Sequence, residues 1–144
     1  MKIATCTRIL EFDAGHRVVN HESKCKNFHG HRYKIESTFE ANKLDELGRV
    51  IDFGVIKQIF GKWIDDNLDH TMILSELDRQ AGELLESLGN KPVYYVDFNP
   101  TAENLVKMLF HKANELLGNL GLKCTHCRLW ETPNCYCDYN ADQD

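Results

Sequence analysis

The tripeptide His29-Gly30-His31 carries the sharpest chemical signal in the chain. In an extended segment alternate side chains share a face, so both imidazoles project to one side, and Tyr33, Ile35, Phe39 and Ala41 continue that parity as apolar residues. Arg32, Lys34, Glu36 and Glu40 take the other face, the pattern of a half-buried antiparallel strand. Two histidines on an inward face are costly to bury unless hydrogen bonds or a metal satisfy them. Gly30 presents no side chain to the opposite face, which is permissive rather than diagnostic. A third imidazole, His16, continues the parity of Leu10, Phe12 and Ala14 at the end of a strand expected over residues 3–14. If the two strands pair antiparallel across the polar loop between them, His16 and His29 meet at the same end of the sheet. Three neutral imidazoles suit Zn²⁺ and leave one tetrahedral position open to a substrate.

Cys25 stands four residues before His29, between Lys24 and Lys26. The lysines favour a thiolate, the form that acts as base or nucleophile. The same sulfur could instead be a fourth zinc ligand closing a structural site. Asp69-His70 offers a further acid/base pair, in which a carboxylate would orient an imidazole and hold its tautomer. His21, His111 and His126 lack the strand geometry of the other three; His21 falls in the loop and His111 in a helix, at the surface or edge beside Lys112.

These residues need elements to position them. Asp52 is a helix cap before an apolar stripe of Phe53, Ile56, Phe60, Trp63 and Ile64, with an end expected near Asn67 and a loop over 68–71. Residues 76–92 are ambiguous, although LDRQAGELLESLG can form a short helix ended by Gly89, and 93–98 reads as a short strand. Asn99 or Thr101 then caps a helix with Glu103 in its first turn. Leu105, Leu109, Leu116, Leu117 and Leu120 form its stripe, and Gly118 and Gly121 mark its stop. Residues 124–131 and 135–139 read as strands joined by a turn at 132–134. Helices inserted between hairpin-like strand pairs predict an α+β fold, with helices covering one face of an antiparallel sheet.

With 144 residues, 42% of them hydrophobic and only 3 Pro, the chain is expected to form a single domain over 1–144 with one core. A net charge of −5 argues against a general nucleic-acid binder, which would need a basic footprint, yet leaves room for small anionic ligands. No stretch has the roughly 18 consecutive apolar residues of a membrane span, and the first dozen residues lack a secretory pattern, so a cytoplasmic protein is expected. In that compartment the 6 Cys are read as thiols, ligands or core residues, though an even count permits disulfides. Cys124 and Cys127, followed by Cys135 and Cys137, have the residue types of a second zinc site. Strand parity sets the first two on opposite faces, which favours reading them as small residues of a hairpin.

Taken in order, Phe12-Asp13-Ala14-Gly15-His16-Arg17, Cys25-Lys26-Asn27-Phe28-His29-Gly30-His31, Val50-Ile51-Asp52-Phe53, Leu68-Asp69-His70, Pro100-Thr101-Ala102-Glu103-Asn104 and Trp130-Glu131-Thr132-Pro133 make the sequence resemble the 6-pyruvoyl-tetrahydropterin synthase / QueD family across nearly its whole length. The resemblance implies a tunnelling fold, a four-stranded antiparallel sheet with two main helices on one face, assembled as an oligomeric barrel. It also implies Zn²⁺ on His16, His29 and His31, catalytic roles for Cys25, Asp69 and His70, and substrate contacts from Glu131, Thr101 and Glu103. The substrate it implies is the pterin triphosphate 7,8-dihydroneopterin triphosphate, handled in sites between the subunits of a homo-oligomer, trimer or hexamer, with neither nucleic acid nor membrane as partner. The Cys-x3-His-Gly-His spacing is most similar to the 6-carboxy-5,6,7,8-tetrahydropterin synthases of queuosine precursor synthesis, lyases that release acetaldehyde and triphosphate. The 6-pyruvoyl product is the alternative on the same substrate. A reading of another class is a non-catalytic, zinc-stabilised interaction module in which Cys25 closes the histidine site and the tail cysteines hold a second metal.

Overall fold

The alternation of apolar and polar side chains produces two long strands, β1 (Cys6–His16) and β2 (His29–Ala41), paired antiparallel with Phe12 opposite Tyr33, Ala14 opposite His31 and His16 opposite His29. The structure, a computed structural model, describes residues 3–143, so Met1 and Lys2 of the leader reading lie outside the described residues. Between these strands the expected loop contains one 3-10 turn, Lys24–Lys26.

The sheet has six strands in the order β4-β3-β1-β2-β5-β6, with β3 at Thr71–Ser75, β4 at Tyr94–Val96, β5 at Leu122–Thr132 and β6 at Cys135–Asn140. β1, β2, β5 and β6 are mutually antiparallel, whereas β3 joins β1, and β4 joins β3, in parallel. This corrects the expectation of a four-stranded antiparallel sheet, which is one part of a larger mixed one. The residues of β3 had been expected to start as a loop. Thr71, Ile73, Leu74 and Ser75 are all buried, so a strand covered on both faces shows no period-2 pattern to read.

Helix α1 runs continuously over 53–67, as Phe53–Ile56, a π turn Lys57–Gly61 and Lys62–Asn67. The Asp52 carboxylate accepts from the Gly54 amide at 2.9 Å, as its type predicts for a cap. Ile56, Phe60 and Ile64 are buried, but Phe53, counted in the stripe, is 52% exposed because it sits in the first turn, short of the core. Helix α3 (Ala102–Leu117) is capped by Thr101, whose hydroxyl accepts from the Asn104 amide, and places Leu105, Val106, Leu109, Phe110, Ala113 and Leu117 in the core. Leu120 lies past its end and is half exposed; Gly121 closes the segment with φ +76°. The core is therefore the inward face of β1, β2 and β5 packed against α1 and α3. No helix among the described residues is long and apolar enough to cross a membrane.

The ambiguous segment does form a helix, α2 (Arg79–Ser87), after a 3-10 turn at Glu76–Asp78. It is a third helix beside the two main ones expected, α1 and α3. Helix α2 stands apart from the main core. It packs Gly82 against the Tyr95 ring, leaving Leu77, Leu84 and Leu88 largely exposed.

The parity argument about the tail cysteines fails. The β2–β5 ladder passes from Thr38 opposite His126 to Phe39 opposite Cys124, so Thr125 is an extra residue. That bulge turns Cys124 to the face already occupied by Cys127, and the two buried sulfurs approach to 3.6 Å as free thiols. Asn114 of α3 holds the bulged strand, accepting from the Cys124 amide and donating to its carbonyl. Cys124 is pushed up by Cys127 first and then by burial, which keeps its thiol protonated. Cys135 is exposed, and Cys137 reaches toward Glu103 instead.

Gly82 makes the α2 contact testable. A Cβ there would lie 1.9 Å from the Tyr95 hydroxyl oxygen and 2.7 Å from Cζ, so the ring must move. Overpacking costs roughly 1–3 kcal/mol, against a helix-propensity gain of about 1 kcal/mol. Gly82→Ala is expected to lower the urea midpoint, and the loss should vanish in a Tyr95→Ala background; an unchanged midpoint in the single variant would contradict this packing.

Candidate metal and acid/base site

The register of β1 and β2 brings His16, His29 and His31 together at one end of the sheet, on the inward face. Each offers a ligand nitrogen within 4.8 Å of the other two. The Nε2 atoms of His16 and His29 are 3.1 Å apart. The Nδ1–H of His16 donates to the Pro100 carbonyl, and that of His29 to the Asn27 carbonyl, both at 2.7 Å. In the neutral ring this leaves Nε2 as the lone-pair atom, so the two backbone carbonyls fix the tautomers and aim both ligand atoms at one point. Two lone pairs at that distance repel unless a proton or a cation lies between them.

His31 supplies the third direction. Its Nε2 is buried without a hydrogen-bond partner. Burial lowers the pKa of His16 to about 4 against the opposing Pro100 contact, and the neighbouring imidazoles lower it further. Burial also lowers that of His31, against the pull of Glu131. Neutral, converging, partly orphaned imidazoles are what a borderline-soft cation needs. Zn–N bonds of about 2.0–2.1 Å at tetrahedral angles put ligand nitrogens about 3.3–3.4 Å apart, close to the His16–His29 spacing. The residues therefore fit Zn²⁺.

Other residues singled out by sequence are distributed around this centre. Glu131, 24% exposed, places its carboxylate 3.9 Å from the Nε2 atoms of both His16 and His31. It also lines a cleft of about 460 Å³ with Gly30, His31, Arg32, Trp130, Thr132 and Pro133. Thr101 caps α3 directly after Pro100, the residue that anchors His16, and Glu103 occupies the first turn of α3. Cys137 lies against Glu103, and burial followed by that carboxylate pushes its thiol up to about 11. Cys25, half-buried in the 3-10 turn, is outside the three-nitrogen group. Its segment is tied back by the Val18 amide, which donates to the Cys25 carbonyl at 2.7 Å.

Asp69 and His70 meet each other at 3.0 Å and lie on the other side of the sheet. Asp69 accepts from the Asp13 amide, and the His70 amide donates to the Asp13 carbonyl. His70 has φ +63°, a strained conformation for a residue with a Cβ, and its ring is 73% exposed. The strain persists because the turn is over-determined. The Thr71 hydroxyl donates to the Leu68 carbonyl at 2.7 Å, and the Lys91 ammonium to the Asp69 carbonyl at 2.7 Å. Partial burial opposes ionisation of Asp69, yet the Asp13 amide, His70 and Lys91 together hold its carboxyl below the usual range. With Asp13 the pair forms a second group of potential ligands, and it opens on a cleft of about 510 Å³. Gly30, His31 and Arg32 line both clefts, so one short piece of β2 separates the acid/base pair from Glu131.

Sequence reading missed the carbonyls of Pro100 and Asn27, the buried hydroxyl of Tyr33 and the Lys91 contact. The carbonyls belong to the backbone and leave no residue-type signal. Tyr33 was placed correctly in the core, but parity says nothing of where its hydroxyl ends. His111 is exposed on α3, and His21 accepts from the Ser23 amide within the loop, as their patterns implied.

The family model described as 6-pyruvoyl tetrahydropterin synthase matches residues 5–142. The chain is 47% identical over 135 residues to the 6-carboxy-5,6,7,8-tetrahydropterin synthase of Rickettsia conorii, covering 91% of this chain and 96% of that one. Among solved structures, an uncharacterized protein from Wolinella succinogenes aligns with a TM-score of 0.81 at 22% identity, over 96% of this chain and 98% of the other. The 6-pyruvoyl tetrahydropterin synthase of Caenorhabditis elegans aligns with a TM-score of 0.70 at 23% identity, over 98% and 97%.

The ligand set predicts its own assay. Titrating metal-free protein with Zn²⁺ against a chromophoric chelator should reveal one tight equivalent per chain. His31→Ala should weaken it by on the order of 100-fold or more, while Asp13→Asn leaves it unchanged. Equal weakening by both substitutions would move the metal to the acidic side of the sheet.

Proposed function

The chain belongs to the 6-pyruvoyl tetrahydropterin synthase family, and from that premise we propose that it is a zinc-dependent 6-carboxy-5,6,7,8-tetrahydropterin synthase. In this reading it is a lyase that converts 7,8-dihydroneopterin triphosphate, with release of acetaldehyde and triphosphate, in the cytoplasmic supply of queuosine precursors. The observation that carries the proposal is the group of three inward imidazoles, two of them with tautomers fixed by backbone carbonyls. The 6-carboxy product is preferred to the 6-pyruvoyl one because the closely similar curated relatives carry the 6-carboxy name.

His16, His29 and His31 would hold the Zn²⁺, which when bound supplies Lewis-acid polarisation of the substrate's side-chain hydroxyls and acidifies the adjacent C–H. Glu131 fixes the pterin, because a carboxylate accepts two parallel N–H donors from the aminopyrimidine edge. Thr101 and Glu103, at the start of α3, form the neighbouring wall. Cys25, between two lysines, takes a proton from the side chain as its thiolate. Asp69 holds the His70 tautomer, and His70 shuttles a proton on the opposite side. Because the Asp69–His70 pair lies across the sheet from the three imidazoles, a homo-oligomer, trimer or hexamer, would complete each site with residues of a second copy. The interaction-module reading requires Cys25 as a fourth ligand, and the ligand group here is three imidazoles without it.

Incubation of zinc-loaded protein with 7,8-dihydroneopterin triphosphate should yield acetaldehyde, measured by a coupled dehydrogenase; recovery of intact substrate would reject the proposal. Cys25→Ala is expected to retain one zinc per chain and lose activity by at least about 100-fold, a general-base or nucleophile effect. Loss of zinc in that variant would instead make the thiol a ligand.

A further inference from the structure

Among the described residues, two buried side-chain polar atoms have no hydrogen-bond partner, His31 Nε2 and the Tyr33 hydroxyl. They are two residues apart on one face of β2, and the first is accounted for as a ligand atom. The second is not. Tyr33 is fully buried, its ring stacked on Phe12 at 5.0 Å and edge-on to His31 at 5.5 Å and His16 at 6.1 Å. Phenylalanine would make every one of those contacts without desolvating a hydroxyl, so the retained oxygen needs a partner in some state of the protein.

The acceptor nearest to it in the fold is Glu131. The β2–β5 ladder ends with Lys34 opposite Trp130, and the next residue of β5, Glu131, sets its carboxylate 3.9 Å from the Nε2 atoms of His16 and His31, the two imidazoles that the Tyr33 ring meets edge-on. A tyrosine hydroxyl carries its hydrogen near neutral pH and is a donor. Here the Glu131 carboxylate is turned toward the imidazole nitrogens. A carboxylate has about four lone-pair sites; an aminopyrimidine edge uses two, which leaves room for a third donor.

We propose that Tyr33 is the positioning residue for Glu131, donating its hydroxyl hydrogen to the carboxylate when that carboxylate turns from the imidazoles to the N–H edge of a bound pterin. The inference rests on the pterin reading above and adds a residue to it. Glu131 then has two settings, a resting one near His16 and His31 and a loaded one locked by Tyr33. The hydroxyl's desolvation is compensated only in the second.

Tyr33→Phe tests this with 7,8-dihydroneopterin as the probe. Calorimetric titration should show about tenfold weaker binding, and steady-state kinetics a matching rise in KM with kcat within about twofold, the pattern of lost uniform binding. Zinc content should stay at the wild-type value, and the metal-free variant should melt at the same temperature as wild type or a few degrees higher. Unchanged probe affinity would overturn the proposal. So would a lower melting temperature of the metal-free variant, which would reveal a partner in the resting protein, or loss of zinc, which would place the effect on the histidines. If wild-type protein itself fails to bind the probe, the pterin reading falls and this inference with it, an outcome distinct from failure in the variant alone.

Discussion

Everything in the candidate centre depends on the register of one strand pair. β1 and β2 are joined by a loop, and their antiparallel ladder sets His16 directly opposite His29 with His31 one same-face step away, opposite Ala14. Because side chains alternate, a slip of one residue would send one strand's histidines to the far side of the sheet. The register is held by the apolar residues that share the inward parity. Phe12, Tyr33, Ile35 and Phe39 are essentially buried, and exposing them would cost about 1.5–3 kcal/mol each. The hydrophobic core thereby fixes the position of a polar site that it meets through the Tyr33 ring.

Burial creates the second constraint. An imidazole taken out of water must find donors and acceptors, and the Pro100 and Asn27 carbonyls supply them on the Nδ1 side of His16 and His29. Pro100 stands just before the Thr101 cap, so the start of α3 serves at once as helix terminus and as anchor for a ligand. Local capping chemistry and site geometry are coupled at that junction. The same economy is seen after α1, where the left-handed His70 is held by the Asp13 carbonyl of β1 and the neighbouring Asp69 carbonyl by Lys91 from the segment after α2.

What could be read from sequence follows the same physics. Strands with one wet face announce themselves, which is why β1, β2 and the histidine parity were legible, and caps such as Asp52 and Thr101 were legible because their side chains make the hydrogen bond. β3 was not, since burial on both faces erases the alternation. The Cys124–Cys127 pair was misplaced because a bulge at Thr125 inverts parity without any mark in residue type. Helix α2 was ambiguous because its leucines, Leu84 and Leu88, do not point into the main core, so the pattern of an amphipathic helix lacks the burial it ordinarily reports. The tunnelling-fold resemblance implied the four antiparallel strands but not the parallel pair, β3 and β4, that extends the sheet beyond β1.

Gly30 is the residue whose meaning changed most between pattern and structure. By sequence it merely left space. In the fold it is paired with Gly15, and a Cβ on Gly30 would come within 3.2 Å of the Ala14 carbonyl oxygen, backbone that cannot easily retreat. A Cβ on Gly15 would meet the His29 carbonyl oxygen at the same distance. On the inward face of this patch are the imidazoles; on the outward face Met72 lies over Gly15, while Gly30 lines both the cleft containing His70 and the one containing Glu131. A side chain at Gly30 would therefore push apart the strands that set the histidine spacing and also fill the floor shared by the two clefts. The Gly-between-His motif is thus a requirement of both faces of one sheet, the ligand geometry on the inside and the access on the outside.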